Sequence, residues 1–406
     1  MPGEMRPIRD TIPLVDARRI MDESARPIER TELVGLTEAN GRVLASDVAA
    51  KLDVPPFPRA AMDGYAVIAS DTFGAGVFEP RKLRLVETVY TGQVPTRPVR
   101  HGECIEIATG APMPEGADAV VMVEETDKAG PDEVLVFSPV HPRQNMGRQG
   151  ADIQAGQVVL RAGEVLNPSR VGAIAATGVT AVEVFAKPVV ALISTGNEIV
   201  DPGAPLGPGQ IYDINRFTLS AIVAENGGVA VRHSTVADTV EALGTALDDC
   251  RDSDAIVFSG GSSVGERDLM VDVVASRGTL LFHGIAVKPG KPTLFALIDG
   301  KPVVGMPGYP TSCLSNGYML LVPLVRRIAR LPAAVFRTVR APLGQRVVST
   351  TGRHQFYTVR LVDGVAMPAF KASGDITSMS QADGYIEIPA QTDIVEKGEV
   401  VEVTLF

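Results

Sequence analysis

Between residues 188 and 332, short apolar runs alternate with helical segments, and this alternation constrains the fold more than any other feature of the sequence. Val189–Ile193 is a continuous apolar run, as expected for a strand that is buried on both faces. Helices are predicted from Asn215 to Asn226, before two glycines, and from Thr239 to Cys250. Strands and helices that alternate in this way predict a doubly wound α/β sheet.

The same stretch contains further elements of both kinds. Additional strands are predicted at Val229–Val231, Ala255–Phe258, Leu280–Ile285 and Val303–Gly305. Additional helices are predicted over Leu269–Ser276 and over Ser312–Ala329, and Pro323 is expected to kink the second of these.

The rest of the chain has a different pattern. Residues 12–26 predict a short helix, and residues 53–144 contain short strands separated by Gly and Pro, which predicts a small β domain. A helix is predicted near Pro168–Thr177. After Pro332, alternating segments indicate another β domain. We therefore predict four domains: a discontinuous N-terminal domain (1–52 and 145–187), an inserted β domain (53–144), the α/β domain (188–332) and a C-terminal β domain (333–406).

Charge and cysteine usage limit the partners and the compartment. The formal net charge of -10 argues against nucleic acid or an anionic membrane as the main partner, since both select basic patches. Three widely spaced cysteines fit a reducing cytoplasm. The N-terminal segment lacks the apolar core of a signal peptide, and no apolar run approaches the length of a membrane span. We expect a cytoplasmic protein.

Three loops rich in Gly, Ser and Pro follow strands of the predicted sheet, where open α/β sheets bind ligands. Gly-rich backbone and hydroxyl groups in such loops are typical of a site for phosphate or a similar anion. The alternative is that these residues only form turns. The candidate anion-binding residues of the three loops are Ser194, Thr195, Gly196, Gly260, Gly261, Ser263, Gly265, Pro307 and Pro310.

The segment KPGKP adds Lys288 and Lys291, two cations on a restricted backbone that suits fixed charges aimed at an anion. They remain open to the simpler interpretation of solvated loop lysines. No Walker A or GxGxxG motif occurs in the sequence, so an ATPase or a Rossmann dehydrogenase is poorly supported.

Carboxylates gather at the same predicted edge, and hard oxygen ligands of this kind suit Mg2+. The candidate metal ligands are Glu198, Asp213 and Asp268. Asp213 is equally suited to cap the helix that begins beside it. The histidines have no zinc-type spacing.

Seven motifs occur in the order seen in one family: PRAAMDGYAV, EIATGAPMPEGADAVVMVEE, STGNEI, GQIYDINR, SGGSSVGERD, AVKPGKP and GMPGYPTS. From about residue 12 to the C-terminus, the chain resembles the molybdopterin molybdenumtransferases (MoeA, gephyrin E-domain). The resemblance implies an elongated homodimer with an inserted β domain, a molybdopterin-binding-type α/β domain and a small C-terminal β barrel. It also implies that the active cleft combines the α/β domain of one subunit with N-terminal parts of the other.

The resemblance implies that adenylylated molybdopterin and molybdate are the substrates, with Mg2+ as cofactor and AMP as a product. By motif, the implied catalytic residues are Asp63, Thr109, Asp152, Glu198, Asp238 and Asp268. The implied substrate-binding residues include Lys288, Lys291, Pro307, Pro310, Arg353 and Ser373.

Two positions depart from the family's pattern. Ala60 stands where the family usually has Ser, and Tyr309 replaces the Asn of the usual P-G-N-P loop. We therefore retain a second hypothesis, a gephyrin-like dimeric scaffold that binds short peptide motifs of a membrane or cytoskeletal protein, with or without catalysis. A third is a pterin or nucleotide binder that shares the α/β fold but performs a different reaction.

Overall fold

The structure, a computed structural model, describes residues 10–260 and 269–406. The chain forms two compact units. The first spans Leu33–Val184, and the second combines Phe185–Phe406 with the residues up to Glu32. Within the described residues, no helix is both long and apolar enough to cross a membrane.

The first unit is built around a six-stranded, mostly antiparallel sheet. A buried apolar cluster packs on each side of it, one including Tyr65 and Val121, the other Ile105 and Val120. Its strands, in spatial order, are Ala119–Met122, Gly64–Val67, Glu103–Ile107, Arg81–Val89, Glu133–Val136 and Thr126–Gly130. The short strands that we predicted between residues 53 and 144 are therefore present, and six of them form this sheet.

The segments that precede and follow this sheet in the sequence pack together in a separate core. Leu44 and Val48 pack in one cluster with Leu160, Leu166 and Ile174. The predicted helix is Pro168–Ala176, and its first turn is capped because Asn167 Oδ1 accepts the Arg170 N–H at 2.9 Å. Short strands complete this part: Thr31–Gly35 with Ala181–Phe185, Val48–Ala49 with Val158–Leu160, and Arg59–Ala60 with Met146–Gly147.

The second unit contains the predicted α/β sheet. Its strands are β1 (Val189–Thr195), β2 (Val229–Arg232), β3 (Ala255–Gly260), β4 (Thr279–His283), β5 (Leu294–Ile298) and β6 (Lys301–Met306). They lie in the order β2-β1-β3-β6-β5-β4. The first four in this order are parallel, whereas β5 is antiparallel to both β6 and β4. The predicted fold class is confirmed, although the hairpin of β5 and β6 makes the sheet mixed.

Alternation along β1 shows that the sheet is covered on both faces. Val190 and Leu192 pack in one core cluster, and Ala191 and Ile193 pack in the other. The second cluster lies under the helices Val240–Asp249 and Leu269–Arg277. The first lies under Leu14–Ser24, Asn215–Glu225, Pro310–Asn316 and Val322–Ile328.

The helix Leu14–Ser24 belongs to this second unit, whereas we grouped residues 1–52 together. Leu14, Ala17 and Met21 are buried in the core cluster of the α/β sheet, and Arg18 Nε donates to Met319 O at 3.0 Å. An apolar stripe shows that a helix is buried but does not show which domain buries it.

The predicted long helix after β6 is interrupted. A π-helical stretch, Gly317–Leu321, separates Pro310–Asn316 from Val322–Ile328. Pro323 lies in the first turn of the last segment and has no N–H to donate, so the hydrogen-bond ladder changes its period just before it.

The C-terminal strands form a second sheet, and one strand of the α/β part joins it. Val287–Lys288 pairs in parallel with the start of His354–Val362. Phe356 and Tyr385 stack with ring centroids 3.9 Å apart and pack beside Tyr318 of the π-helical stretch. The other elements are Thr338–Pro342, Val347–Val348, Val365–Pro368, Thr377–Ser380, Gly384–Ile388, Ile394–Val395 and Val400–Leu405.

Candidate active site

A cavity of about 1180 Å³ lies at the carboxyl ends of β1, β3 and β6. This is the edge at which the sequence predicted an anion site, and its size suits a substrate larger than a single nucleotide. The predicted residues that line it are Ser194, Thr195, Glu198, Asp213, Asp238, Gly260, Lys288, Lys291, Pro307, Pro310, Arg353 and Ser373. The predicted residues Gly261, Ser263, Gly265 and Asp268 lie outside the described part of the chain.

The ends of β1 and β3 form the floor of the cavity. Ser194 Oγ and Ser259 Oγ lie 3.4 Å apart on these neighbouring strands, and both side chains are buried. Gly260 pairs with Thr195 in a backbone conformation with a φ of 122°. A Cβ atom at Gly260 would lie 2.1 Å from Thr195 O, so only glycine fits there.

Glu198 is exposed at the turn that follows β1. Its carboxylate folds back over Gly196, since a Cβ at that glycine would lie 2.7 Å from Glu198 Oε2. An exposed carboxylate on a tight turn keeps its oxygens accessible from the cavity that it lines. Asp238 lines the same cavity and is half-buried.

Asp213 is buried and its carboxylate is engaged by the following helix. Asp213 Oδ1 accepts the Arg216 N–H at 3.1 Å, and Arg216 Nε lies 3.1 Å from Asp213 Oδ2. The same guanidinium also contacts Asp201 and donates to His233 O at 2.6 Å. This geometry supports the capping interpretation of Asp213.

The KPGKP loop is fixed from two sides. Lys288 Nζ donates at 2.9 Å to Thr350 Oγ1 of the C-terminal domain, in the loop before His354–Val362. Asn316, which is fully buried, donates through Nδ2 to Gly290 O at 2.9 Å and to Thr293 Oγ1 at 2.6 Å. The two predicted lysines therefore belong to a loop that is held by hydrogen bonds with Thr350 and Asn316.

The loop after β6 is also anchored at several points. Asn215 Nδ2 donates to Gly308 O at 2.8 Å, and the Thr311 N–H donates to Ser373 O at 3.1 Å. Tyr309, between these anchors, is 68% exposed and lines the cavity.

Asp63 and Thr109, two of the catalytic residues that the resemblance implies, lie together in the unit Leu33–Val184. Asp63 Oδ1 accepts the Thr109 N–H at 2.7 Å and the Thr109 hydroxyl at 3.0 Å. These bonds, the backbone one first, hold the pKa of Asp63 below its usual value, so this exposed carboxylate is ionised at neutral pH. Asp152 is exposed in the same unit, and its N–H donates to Val54 O at 3.0 Å.

Three family models together match most of the chain. Residues 12–178 match the MoeA N-terminal region (domain I and II), residues 191–327 the "Probable molybdopterin binding domain", and residues 340–406 the MoeA C-terminal region (domain IV). Molybdopterin molybdenumtransferase 2 of Mycobacterium tuberculosis is 35% identical over 94% of this chain and 96% of its own. The enzyme of the same name from a Nostoc species is 32% identical over 92% and 88%.

A solved structure agrees with these sequence matches. The crystal structure of the molybdopterin biosynthesis MoeA protein from Pyrococcus horikoshii has a TM-score of 0.84 and 40% identity, covering 98% of this chain and 99% of that one. The chain belongs to the molybdopterin molybdenumtransferase (MoeA) family. It is accordingly an enzyme of molybdenum cofactor biosynthesis.

Ala60, where the MoeA family usually has Ser, does not face the solvent around Asp63. Its side chain is 1% exposed and packs in an apolar cluster with Ala66, Ile105 and Ala111. Its carbonyl accepts the Gly110 N–H at 2.9 Å. The missing hydroxyl is therefore replaced by apolar packing, and the contacts of Asp63 with Thr109 are made without it.

We did not identify from the sequence Asn215 and Thr350, which line this MoeA cavity, or Asn316, which holds the KPGKP loop through Gly290. Asn215 lies in a motif that we identified, so its polar side chain at a helix start was an available signal. No local pattern marks Asn316 or Thr350, because both act through contacts with segments distant in sequence.

Proposed function

We propose that this MoeA-family enzyme hydrolyses adenylylated molybdopterin and inserts molybdate into the dithiolene, releasing AMP. The convergence of two lysines, a Gly/Ser floor and accessible carboxylates in one cavity carries the proposal. Water adds at the phosphoanhydride, its P–O bond breaks, and AMP and molybdopterin, which keeps its own phosphate, are formed. The two dithiolene sulfurs then bind molybdenum from molybdate, and the two thiol protons leave with one molybdate oxygen as water.

The chain's own groups meet the demands of this reaction. Lys288 and Lys291 offset the charge of the substrate's phosphates, and their anchored loop places that charge in advance. The hydroxyls of Ser194 and Thr195 stand at the floor beside Gly260, whose bare backbone permits close approach of an anion. Arg353 and Ser373 would contact the substrate from the C-terminal domain.

The donor chemistry of the cavity fits Mg2+. No group of three or more His, Cys, Asp or Glu suited to a metal occurs within residues 10–260 and 269–406. Mg2+ does not need one, because it usually takes one or two carboxylates and completes its shell with water and substrate phosphates. Glu198 would hold it, with Asp268 predicted as the second ligand, and the ion would neutralise phosphate charge during cleavage.

Asp213 is a weaker candidate for this ion, because its carboxylate is buried and already paired with Arg216.

We also propose a homodimer, as the family resemblance implies. The relatives named above are enzymes, and this favours catalysis over a purely scaffolding role.

AMP release from adenylylated molybdopterin with Mg2+ and molybdate tests the proposal. Wild-type protein should release AMP, and Lys288→Ala and Glu198→Gln should each lower kcat/KM about 100-fold or more, as expected for loss of charge stabilisation in the transition state. Normal turnover by both variants would place the reaction elsewhere.

A further inference from the structure

Tyr309 is the feature of the cavity that the proposed chemistry does not use. Its side chain is 68% exposed although it lines the same cavity as Lys288 and Arg353. Within the described residues, it takes part in no aromatic ring contact. A large apolar ring left in contact with water inside a ligand cavity gains stability when a ligand covers it.

The backbone under this ring is held in place. Tyr309 lies between Pro307-Gly308 and Pro310, and its φ is -65°. Its carbonyl accepts the Cys313 N–H at 2.8 Å, and the preceding carbonyl of Gly308 accepts from Asn215 at 2.8 Å. A backbone held in this way loses little conformational freedom when a ligand binds, so the entropic cost is confined to the two side-chain torsions of the ring.

Gly374 of the C-terminal domain leaves space beside one flank of the ring. A Cβ atom at this position would lie 3.7 Å from Tyr309 Cδ1 and 3.9 Å from Cε1, so a larger residue would contact the ring and glycine does not. Most of the remaining ring surface is open. The arrangement is that of a flat, open platform in the cavity that Lys288 and Lys291 also line.

We propose that Tyr309 stacks on a planar heteroaromatic ring of the substrate and sets substrate affinity and specificity. This inference rests on the proposed function, which supplies a substrate with such a ring at each end, the pterin and the adenine. An Asn at this position, as the family's usual loop has, offers no ring face. Stacking of a base on an aromatic side chain strengthens binding about 5- to 150-fold.

Equilibrium binding to the full-length protein tests this platform. The probes are AMP, molybdopterin and inorganic phosphate, and the variants are Tyr309→Asn and the conservative Tyr309→Phe. Phe336→Asn is the matched control, because Phe336 is an exposed ring, 38% exposed, that does not line the cavity. Tyr309→Asn should weaken AMP or molybdopterin binding at least fivefold, whereas Tyr309→Phe, Phe336→Asn and phosphate binding should stay within twofold of wild type.

The two probes separate the possible rings. If Tyr309→Asn weakens the binding of AMP alone, the platform contacts adenine. If it weakens the binding of molybdopterin alone, the platform contacts the pterin. Unchanged affinity for both overturns the inference, as does an equal loss of phosphate binding, which would indicate a general disturbance of the loop. Because binding is measured without turnover, a wild-type protein that binds AMP but releases none from the substrate contradicts the proposed reaction and leaves the stacking test intact.

Discussion

The Lys288 ammonium donates a hydrogen bond to the Thr350 hydroxyl across 2.9 Å, from the α/β domain to the C-terminal domain. The two segments also share strand pairing, since Val287 lies opposite His354. Lys288, a cation of the cavity, is therefore positioned by Thr350, which lies 62 residues further along the chain. The C-terminal domain is part of the site's support, and its sequence should affect substrate binding.

Thr350→Val should weaken substrate binding without unfolding the protein. The substitution preserves shape but removes the acceptor for Lys288, so we expect KM to rise about 2- to 10-fold with little change in kcat. Steady-state AMP release measures both constants. Thr351→Val is the control, because it removes a hydroxyl that donates to Asp393 rather than one that supports Lys288. A KM equal to that of wild type would show that Lys288 needs no support from Thr350.

Thr109→Val should raise the pKa of Asp63 towards its usual value without restoring it fully. The hydroxyl bond is lost, but the N–H of residue 109, which is the larger cause of the lowered pKa, remains. A carboxylate with a lowered pKa stabilises the fold above its unfolded-state pKa, and this contribution disappears as pH falls through the folded-state value. NMR titration of the Asp63 carboxyl carbon measures the shift, and an unchanged or lower pKa would contradict the geometry.

Asp213→Ala should separate the capping role from metal binding. Loss of the cap and of a buried partner for Arg216 should lower the free energy of unfolding by about 2–4 kcal/mol. The Mg2+ concentration needed for half-maximal AMP release should not change, because we assign the ion to Glu198. The opposite pattern, normal stability with a raised Mg2+ requirement, would make Asp213 a metal ligand.

Gly260→Ala should destabilise the protein strongly. The φ of 122° and the 2.1 Å approach to Thr195 O leave no room for a methyl group, so we expect a loss of about 3 kcal/mol or more. Gly172 is the matched control: it is exposed in the helix Pro168–Ala176, and an added Cβ meets no atom within 4 Å. Gly172→Ala should gain about 0.5–1 kcal/mol. Urea unfolding of both variants checks the difference, and a near-neutral Gly260→Ala would contradict the described strand end.

Local sequence signals predicted the strands and helices that are specified by their own hydrophobic pattern or by a capping residue. The apolar run Val189–Ile193 forms most of strand β1, and Thr239 caps the helix Val240–Asp249 through its side chain, which accepts the Ala242 N–H. Because parallel strand ends meet at one edge, the Ser, Gly and Lys loops could also be expected to share a cavity.

We did not predict strand β5, although the sequence contains a local signal for it. Strand β5 ends just before Asp299-Gly300, which have φ values of 51° and 77° and join it to β6 as a tight hairpin. An Asp-Gly pair between apolar runs is a strong hairpin signal, and it was present in the sequence.

Other features depend on contacts that no local pattern specifies. The helix Leu14–Ser24 shows only that it has an apolar face, and the core that receives this face lies far along the chain. The bond between Lys288 and Thr350 likewise depends on how two domains of the second unit meet. Ala60 suggested a missing hydroxyl at the Asp63 cluster, but burial of its side chain in an apolar core became visible only in the structure.

The dependence of AMP release on molybdate tests the central claim most directly. Purified protein would be given adenylylated molybdopterin and Mg2+, with and without molybdate, and AMP would be quantified over time. We predict release that is strongly stimulated by molybdate, together with molybdenum bound to the pterin product. A folded protein that binds the substrate but releases no AMP under either condition would contradict the account.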